Sequence, residues 1–383
     1  MNIQSWYKDN FETRLKGRYI TLEHLFPLLE SYKDLIEISS VGTSELGNDI
    51  LLLKIGQGKK VVFGWSQMHG NESTTTKALF DFLKFILQKE NFQKEIISFL
   101  DTYTFYFIPI LNPDGASAYT RANANEVDLN RDAQNLSQTE SQTLREVFEL
   151  IKPNLCLNLH DQRSIYGLST AKPATISFLA PAANKRRTIT KSRKIAMQHI
   201  VRMHAMLEAM IPGQIGRYND TFNSDCVGDT FQQLKIPTIL FEAGHFPGDY
   251  QREKTRELIF YAFLELFQIL ENRDAIANYK EYFDIPENRD NYRDVILKNV
   301  QIPLNKKLLD ISIQFTEELH DKEIQFIPTI DSVGDTNDLS AHEIIDLKGA
   351  TLLVNSQEKI RVGQIVSTIV NKEDNSVIIL QRK

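Results

Sequence analysis

Cysteine is scarce in this chain, because only Cys156 and Cys226 among its 383 residues carry a thiol. Two cysteines are too few for a disulfide framework or for a zinc site built on thiolates. No apolar run approaches the roughly 18 residues that span a bilayer, and residues 1–11 lack the basic stretch and apolar core of a secretory signal. We therefore expect a cytoplasmic protein in which Cys156, within the apolar run 155–159, is a buried thiol.

An excess of positive charge is also missing. Lysine and arginine number 44 against 50 aspartates and glutamates, which leaves a formal net charge of −6. This balance predicts no nucleic-acid partner and no attraction to an anionic membrane surface. The hydrophobic share of 42% and the charged share of 25% are typical of a folded globular protein, and they exclude a disordered or fibrous chain. The oligomeric state stays open.

Short apolar runs alternate with longer helical patterns as far as about residue 272. The strand-like runs are 50–55, 60–66, 102–110, 154–160 and 237–242, and the helical patterns are 74–89, 137–151, 190–211 and 251–272. This alternation predicts an α/β fold with a mostly parallel or mixed sheet covered on both faces. After a polar stretch, short strand-like runs and turn residues predict a small all-β domain. We place the two domains at 1–273 and 284–383, the second with an unknown role.

Candidate metal ligands follow two of the predicted strands. His69 and Glu72 come directly after a strand, with Gly70 allowing a tight bend, and His160 ends another. The ends of strands are where α/β proteins bind ligands, and zinc takes imidazole nitrogen and carboxylate oxygen. Two histidines and one glutamate would leave a fourth position for water, as in catalytic zinc sites. Asp161 is a candidate for orienting these ligands.

A second pair has the same spacing as His69 and Glu72. His320 and Glu323 lie in a charged stretch typical of a solvated surface. We therefore expect them to be a surface pair without a metal. The spacing of a histidine and a glutamate is therefore weak evidence for a metal site by itself. His69 differs from His320 because it lies at the end of a buried strand.

A general base and substrate-binding groups have candidates elsewhere in the chain. Glu242 ends the apolar strand 237–242, where it could accept a proton from a metal-bound water or merely cap the next helix. Residues 112–115 (Asn-Pro-Asp-Gly) form a turn by their chemistry. Arg131 offers a planar fork to a carboxylate, and Asn130 adds a neutral donor.

The candidate site residues, taken in their order along the chain, resemble the motifs of the zinc carboxypeptidase family, the carboxypeptidase A-like metallopeptidases. The set that carries the resemblance is His69 to Glu72, 112–115, Arg121, 128–131, His160 and Glu242, with the upstream segment 41–47 leading into a strand. The resemblance covers roughly residues 20–270. It implies an α/β fold with a mixed, mostly parallel eight-stranded sheet flanked by helices, and a small all-β domain after it is reminiscent of the β-sandwich of some relatives.

The resemblance also implies roles for individual residues. One zinc ion would be held by His69, Glu72 and His160, with Glu242 as the general base. Arg121 would polarise the scissile carbonyl, and Asn130 and Arg131 would hold the terminal carboxylate of the substrate. Tyr218 would be the tyrosine that precedes the general base in the family. Asp161 stands where many relatives have serine or threonine.

The function that follows is a zinc metallocarboxypeptidase that hydrolyses the C-terminal peptide bond of substrates with a free carboxylate. An N-acyl amino acid deacylase or a muropeptide amidase could use the same site, and a non-catalytic peptide-binding module is the alternative from another class. A serine hydrolase is disfavoured, because no Gly-x-Ser-x-Gly motif occurs. The side-chain preference and the natural substrate are open, since loop 218–230 mixes aspartates with apolar residues.

Overall fold

The computed structural model describes residues 2–270, 276–301, 307–378 and 380. The strands before residue 270 are β1 (Glu37–Thr43), β2 (Asp49–Gly56), β3 (Lys60–Trp65), β4 (Tyr103–Ile108), β5 (Leu155–Asp161), β6 (Tyr166–Gly167), β7 (Ile176–Leu179), β8 (Ile215–Arg217) and β9 (Thr238–Ala243). The helices are α1 (Ile3–Asn10), α2 (Leu22–Tyr32), α3 (Thr74–Leu87), α4 (Gln93–Thr102), α5 (Pro113–Ala118), α6 (Thr139–Ile151), α7 (Lys191–Met210), α8 (Val227–Gln233) and α9 (Glu253–Leu266). No helix of the described residues is long and apolar enough to cross a bilayer.

Eight of these strands form one mixed sheet in the order β1-β2-β4-β3-β5-β9-β7-β8. The central neighbours β4-β3-β5-β9 are parallel, as are β7 and β8, whereas β1-β2, β2-β4 and β9-β7 are antiparallel. The predicted fold class is therefore confirmed. Because the four central strands run in one direction, their carboxyl ends meet at one edge of the sheet, which is where α/β folds place ligand sites.

The sheet has a core on each face. Along β3, Val62 packs into one apolar cluster with α3, α7 and α9, while its neighbour Phe63 packs into another with α6 and α8. This follows from the pleat, since successive side chains of a strand point to opposite faces. Strand β5 is buried at every position, which explains why it appears in the sequence as an unbroken apolar run rather than an alternating one.

A buried ion pair ties the N-terminal segment to the helical layer. Asp81 of α3 and Arg256 of α9 are both fully buried, and their side chains make two contacts of 2.6 Å. The Tyr7 hydroxyl donates to Asp81 at 2.9 Å, and the backbone N–H of Glu12 does so at 2.8 Å. Residues 2–20, which carry no motif, are thus part of the same packed unit.

We expect Arg256→Ala to destabilise the fold by about 3–5 kcal/mol, because it leaves the Asp81 carboxylate buried without its cation. Chemical unfolding followed by circular dichroism measures this loss. Lys254→Ala is the matched control on the same helix: its ion pair with Glu257 is partly exposed, and such pairs contribute only about 0–1 kcal/mol. Equal losses for the two variants would contradict the role given to the buried pair.

The residues after 276 form small β sheets. A short 3₁₀ helix (Tyr279–Asp284) leads into β10 (Arg289–Asp290), β11 (Tyr292–Gln301), β12 (Leu308–His320), β13 (Glu323–Gly334), β14 (Ser340–Asp346), β15 (Leu352–Val354), β16 (Ile369–Asn371) and β17 (Val377–Ile378). One sheet has the order β13-β12-β11-β14 and another β15-β16-β17, while β10 pairs with β6. The predicted β character of this region is confirmed. Tyr250, from the loop before α9, belongs to its apolar core together with Phe315 and Phe326.

Candidate metal centre and active site

The three predicted metal ligands meet at the carboxyl ends of β3 and β5. Nδ1 of His69 lies 2.8 Å from Oε1 of Glu72, and Nδ1 of His160 lies 2.8 Å from Oε2 of the same carboxylate. The two Nδ1 atoms are 3.1 Å apart. One ligand atom from each of the three residues therefore lies within 4.8 Å of the others.

The bend between His69 and Glu72 requires glycine at position 70 because there is no space for a side chain. The sequence alone suggests backbone freedom as the reason. A Cβ atom at position 70 would lie 1.9 Å from the carbonyl carbon of Gly115. Gly115 lies in the first turn of α5, at the end of the Asn-Pro-Asp-Gly motif, and its N–H donates to the Asn112 side chain at 2.8 Å. The two turns pack backbone against backbone, and this contact holds His69 and Glu72 over the end of β5.

The chemistry of the three donors fits a divalent cation such as zinc. Burial lowers the pKa of His160 below its ordinary value, which favours the neutral imidazole that a metal requires. Burial alone would also lower the pKa of His69, but Glu72 and Asp128 raise it above its ordinary value. Burial alone would raise the pKa of Glu72, but the adjacent His69 and His160 lower it well below the usual range, so the carboxylate is ionised. Two imidazole nitrogens and a carboxylate in van der Waals contact form the donor set of open zinc sites.

Asp128 orients His69, a role that the sequence did not reveal. Its Oδ1 lies 3.1 Å from Nε2 of His69, on the side of the ring away from the other ligands, which is the usual position of a carboxylate that fixes a metal-binding imidazole. Arg121 in turn donates to Oδ2 of Asp128 through Nε and Nη2, at 3.1 and 3.0 Å. No spacing rule links positions 69 and 128, so only the folded chain could identify this pair.

Arg121 lies beside the ligand group. Its Nη1 is 3.1 Å from Nδ1 of His69 and 3.4 Å from Oε1 of Glu72. The side chain is about half exposed, and Asp128 accepts from Nε and Nη2 while Nη1 lies against His69 and Glu72. This arrangement offers N–H donors next to the atoms that would bind the metal.

The sequence predicts that Asp161 orients the metal-binding histidines, but its side chain makes other contacts. Its Oδ2 accepts from the Thr74 N–H at 3.0 Å and lies 3.8 Å from Nη1 of Arg252. Asp161 nevertheless contacts the ligand group through its backbone, because its N–H donates to Oε2 of Glu72 at 3.1 Å. The carboxylate points away because side chains alternate along β5, where His160 already occupies the face toward the metal ligands.

Glu242 lies next to the ligand group on the neighbouring strand. In the parallel pairing of β5 with β9, Glu242 is the direct partner of His160. Burial raises the pKa of Glu242 well above its ordinary value, and the nearby carboxylates of Glu72 and Asp161 raise it further. A carboxyl with a raised pKa in a cleft is characteristic of acid–base groups.

Tyr218 lies directly after β8 and contacts residues of two other strands. Its N–H donates to the Phe178 carbonyl at 3.0 Å, and its ring packs edge-on against Tyr166. Burial raises the pKa of the Tyr218 phenol, and the charge on Glu242 is the next contribution.

Asn130 and Arg131 closely follow Asp128, the residue that contacts His69. They lie in a 3₁₀ helix (Leu129–Arg131) directly after Asp128, and the Asn130 side-chain oxygen accepts from the Val227 N–H at 3.0 Å. Arg131 is exposed, and its Nη1 donates to the Asn130 carbonyl at 2.7 Å and to Sγ of Cys226 at 3.2 Å.

Cys156 and the second histidine pair are placed as the sequence predicts. Cys156 is fully buried in β5. Burial raises the pKa of Cys226 to about 11, so its thiol is protonated at neutral pH. His320 is about half exposed at the end of β12, opposite Glu323 in the hairpin, and does not approach the ligand group.

Comparison with known proteins supports the resemblance. Residues 22–154 match the family model described as zinc carboxypeptidase. Carboxypeptidase M of Mus musculus is 27% identical over 154 residues, which is 34% of this chain and 35% of the relative. Carboxypeptidase B of Bos taurus is 34% identical over 127 residues, 30% of each chain. The matching region thus spans about a third of the length of these curated relatives.

Solved structures share the fold over a longer stretch. A metallo-carboxypeptidase from Burkholderia cenocepacia aligns with a TM-score of 0.52 and 16% identity, over 64% of this chain and 68% of its own. Carboxypeptidase A from Helicoverpa armigera aligns with a TM-score of 0.51 and 15% identity, over 66% and 72%. These two likenesses show a shared fold. The predicted resemblance to the zinc carboxypeptidase family is confirmed over residues 22–154, where the family model matches.

Proposed function

We propose that this protein is a zinc-dependent metallocarboxypeptidase that removes the C-terminal residue from peptides, with one zinc ion held by His69, Glu72 and His160. The observation that carries the proposal is the convergence of these three side chains beside Glu242, in register with His160 on the adjacent strand. A peptide-binding module would need neither the ligand set nor an adjacent carboxyl with a raised pKa. We also propose that residues 1–273 are the catalytic domain and 284–383 a separate β domain, in a protein of the cytoplasm.

The residues around the ligand group can each act on an amide bond. Zinc, when bound, would lower the pKa of a coordinated water to about 7. Glu242 would accept the proton of that water and return it to the leaving amine. Arg121 would donate to the oxygen of the scissile carbonyl as negative charge develops on it, and a single donor of this kind typically contributes about 3–4 kcal/mol to lowering the barrier.

The other side of the cleft would select the end of a chain. Arg131 and Asn130 would bind the terminal carboxylate, with Tyr218 closing over the same residue. Arg131 follows Asp128 by three positions, and Asp128 orients His69, so the carboxylate anchor and the ligand group are held by one short segment. Anchoring at a fixed distance from the ligand group would place the last peptide bond in position and exclude internal bonds.

Arg131→Ala tests the exopeptidase assignment. We expect kcat/KM for peptides with a free C-terminal carboxylate to fall about 10- to 100-fold, because a charge-assisted contact is lost. Hydrolysis of the C-terminally amidated peptides should change by less than about twofold. The control is Arg186→Ala, since Arg186 is an exposed arginine in the loop before α7. Equal losses on free and amidated peptides would contradict the anchoring role of Arg131.

The same assay separates the related chemistries. Peptides, N-acyl amino acids and muropeptide fragments should be compared with and without a chelator. Release of the C-terminal residue from ordinary peptides that stops on chelation supports the proposal. Hydrolysis confined to acylated amino acids or muropeptides would replace it with a deacylase or an amidase. Binding of peptides without any hydrolysis by the zinc-loaded protein would replace it with a binding module.

A further inference from the structure

A cavity of about 290 Å³ lies between the ligand group and the C-terminal sheet. One wall contains Asn71, Glu72 and the segment 161–165 that follows His160, and the other contains residues 314–317 of β12. Its volume is close to the lower end of the range of small-molecule sites, about 300–1,000 Å³. Because Glu72 belongs to the lining, the cavity reaches one of the three proposed metal ligands.

The β12 wall is held firmly in place. Glu317 accepts from Nη1 of Arg18 at 3.0 Å and from the Tyr119 hydroxyl. Nε2 of Gln314 donates to the Ser164 hydroxyl at 2.7 Å, which joins the two walls directly. A wall with these ion-pair and hydrogen-bond contacts is a fixed boundary of the cavity rather than a loosely packed surface.

Three arginines and three carboxylates line the cavity, and one positive charge is in excess once Glu72 is assigned to the proposed metal centre. Arg18 is paired with Glu317, Arg252 is paired with Asp161, and Glu72 belongs to the proposed metal centre. Arg163 remains: it lies three residues after His160, lines the cavity and is exposed. No ion pair or hydrogen bond of its side chain occurs within the described residues, so its guanidinium is an unmatched positive charge.

Buried polar atoms without partners surround the same cavity. Within the part of the chain that the structure describes, Nε of Arg18 and of Arg252 have no acceptor, and Oδ1 of Asp161 and Oε1 of Gln314 have no donor. Buried polar groups are normally hydrogen-bonded, so several exceptions around one cavity indicate a place where a polar ligand or water supplies the partners. Peptide groups carry both donors and acceptors and suit such a wall.

We propose, on the basis of the proposed function, that this cavity binds an acidic residue immediately before the scissile bond, with Arg163 as its charge partner. The cavity contains Glu72 but not Asn130 or Arg131. A substrate whose terminal carboxylate is held by Arg131 and whose last peptide bond lies at the ligand group would therefore direct its penultimate residue toward the cavity. The preferred substrates are peptides with glutamate or aspartate at the penultimate position, and the C-terminal sheet is part of the specificity site.

The test compares two acetylated tripeptides that differ only in having glutamate or glutamine at the penultimate position. With the zinc-loaded full chain, we expect kcat/KM to favour glutamate roughly tenfold, mainly through KM, because one charge-assisted contact is gained. Arg163→Gln should reduce this ratio to about one. Arg186→Gln, which removes an exposed arginine outside the cavity, should leave both rates and their ratio as in the unaltered protein.

A second pair of variants tests the contribution of β12. Thr316 is exposed on the cavity wall, so Thr316→Glu should reduce the preference for glutamate at least threefold through repulsion. Thr316→Gln introduces a side chain of nearly the same size as glutamate but without its charge. This variant should therefore keep more of the preference for penultimate glutamate than Thr316→Glu does. Identical ratios for these two variants would overturn the assignment of β12 to the substrate cavity.

Failure of this inference and failure of the proposed function give different results. If the protein cleaves both peptides equally and Arg163→Gln leaves the ratio unchanged, the cavity assignment is wrong and the carboxypeptidase proposal stands. The opposite case is that the cavity assignment is right and the proposed function is wrong. It is tested by measuring the binding of both peptides to the zinc-loaded Glu242→Gln variant by calorimetry. Tighter binding of the glutamate peptide that depends on Arg163, without hydrolysis by the unaltered protein, would support the cavity and overturn the proposed function.

Discussion

Glu242→Gln should lower kcat for peptide hydrolysis by about 10²- to 10⁴-fold, the range expected for loss of a general base. Glutamine keeps the size of the side chain and its position beside His160 on the adjacent strand, but it cannot accept a proton at neutral pH. Because Glu242 is not one of the three grouped ligands, zinc content should stay at one ion per chain. Steady-state kinetics and elemental analysis of the same preparation measure both quantities.

The matched control for this variant is Glu149→Gln. Glu149 is an exposed carboxylate on α6 that pairs with Arg145, so its loss should leave both kcat and zinc content within about twofold of the unaltered protein, as is usual for surface substitutions. A fully active Glu242→Gln protein would remove Glu242 from the mechanism. A variant that lost its zinc would instead assign Glu242 to the metal centre.

His160→Ala should abolish stable metal binding and, with it, turnover. We expect the dissociation constant for zinc to rise by more than about 100-fold, since removal of partners that merely orient a ligand already costs about 10- to 100-fold. His160 contacts both His69 and Glu72, so its removal leaves two of three donors in place. Competition with a chelator of known affinity gives the constant, and peptide release gives the activity.

His320→Ala is the control for His160→Ala. His320 and Glu323 repeat the spacing of His69 and Glu72, but they lie on an exposed hairpin. Their loss should change neither zinc content nor kcat. Retention of stoichiometric, tightly bound zinc by His160→Ala would contradict the ligand assignment. A normal thermal unfolding transition for that variant, measured without metal, would exclude general misfolding as the reason for a loss of zinc.

The alternation of apolar runs and helical patterns was sufficient to predict the centre of the fold. The predicted segments 74–89, 190–211 and 251–272 correspond to α3, α7 and α9, apart from a few residues at their ends. Strands β7 and β8 were not predicted, because runs of four and three residues are too short for a periodic signal. Helix α2 was also missed, since Pro27 inside it normally indicates that a helix ends.

Some residues of the candidate site can be recognised from local sequence patterns, whereas others are identified only by tertiary contacts. His69, Glu72, His160 and Glu242 stand at the ends of apolar runs, and such runs pair as parallel strands whose carboxyl ends share one edge. Asp128 has no comparable signal, because its contact with His69 joins two loops. Asp161 was misjudged for a related reason: its neighbour His160 faces the ligand group, so its own side chain faces the other way.

The amino-acid sequence by itself determined which residue types stand at the ends of buried strands, and therefore that imidazole and carboxylate groups gather at one edge of a mixed sheet. Strand periodicity and the common direction of parallel strands are local properties, so they can be recognised along the chain. Only the tertiary structure decided that Asp128 orients His69, that Arg256 ties the N-terminal segment to α3 and α9, and that β12 forms a wall beside Glu72. These contacts join positions dozens to hundreds of residues apart, and their geometry depends on how whole elements pack, which no short pattern encodes.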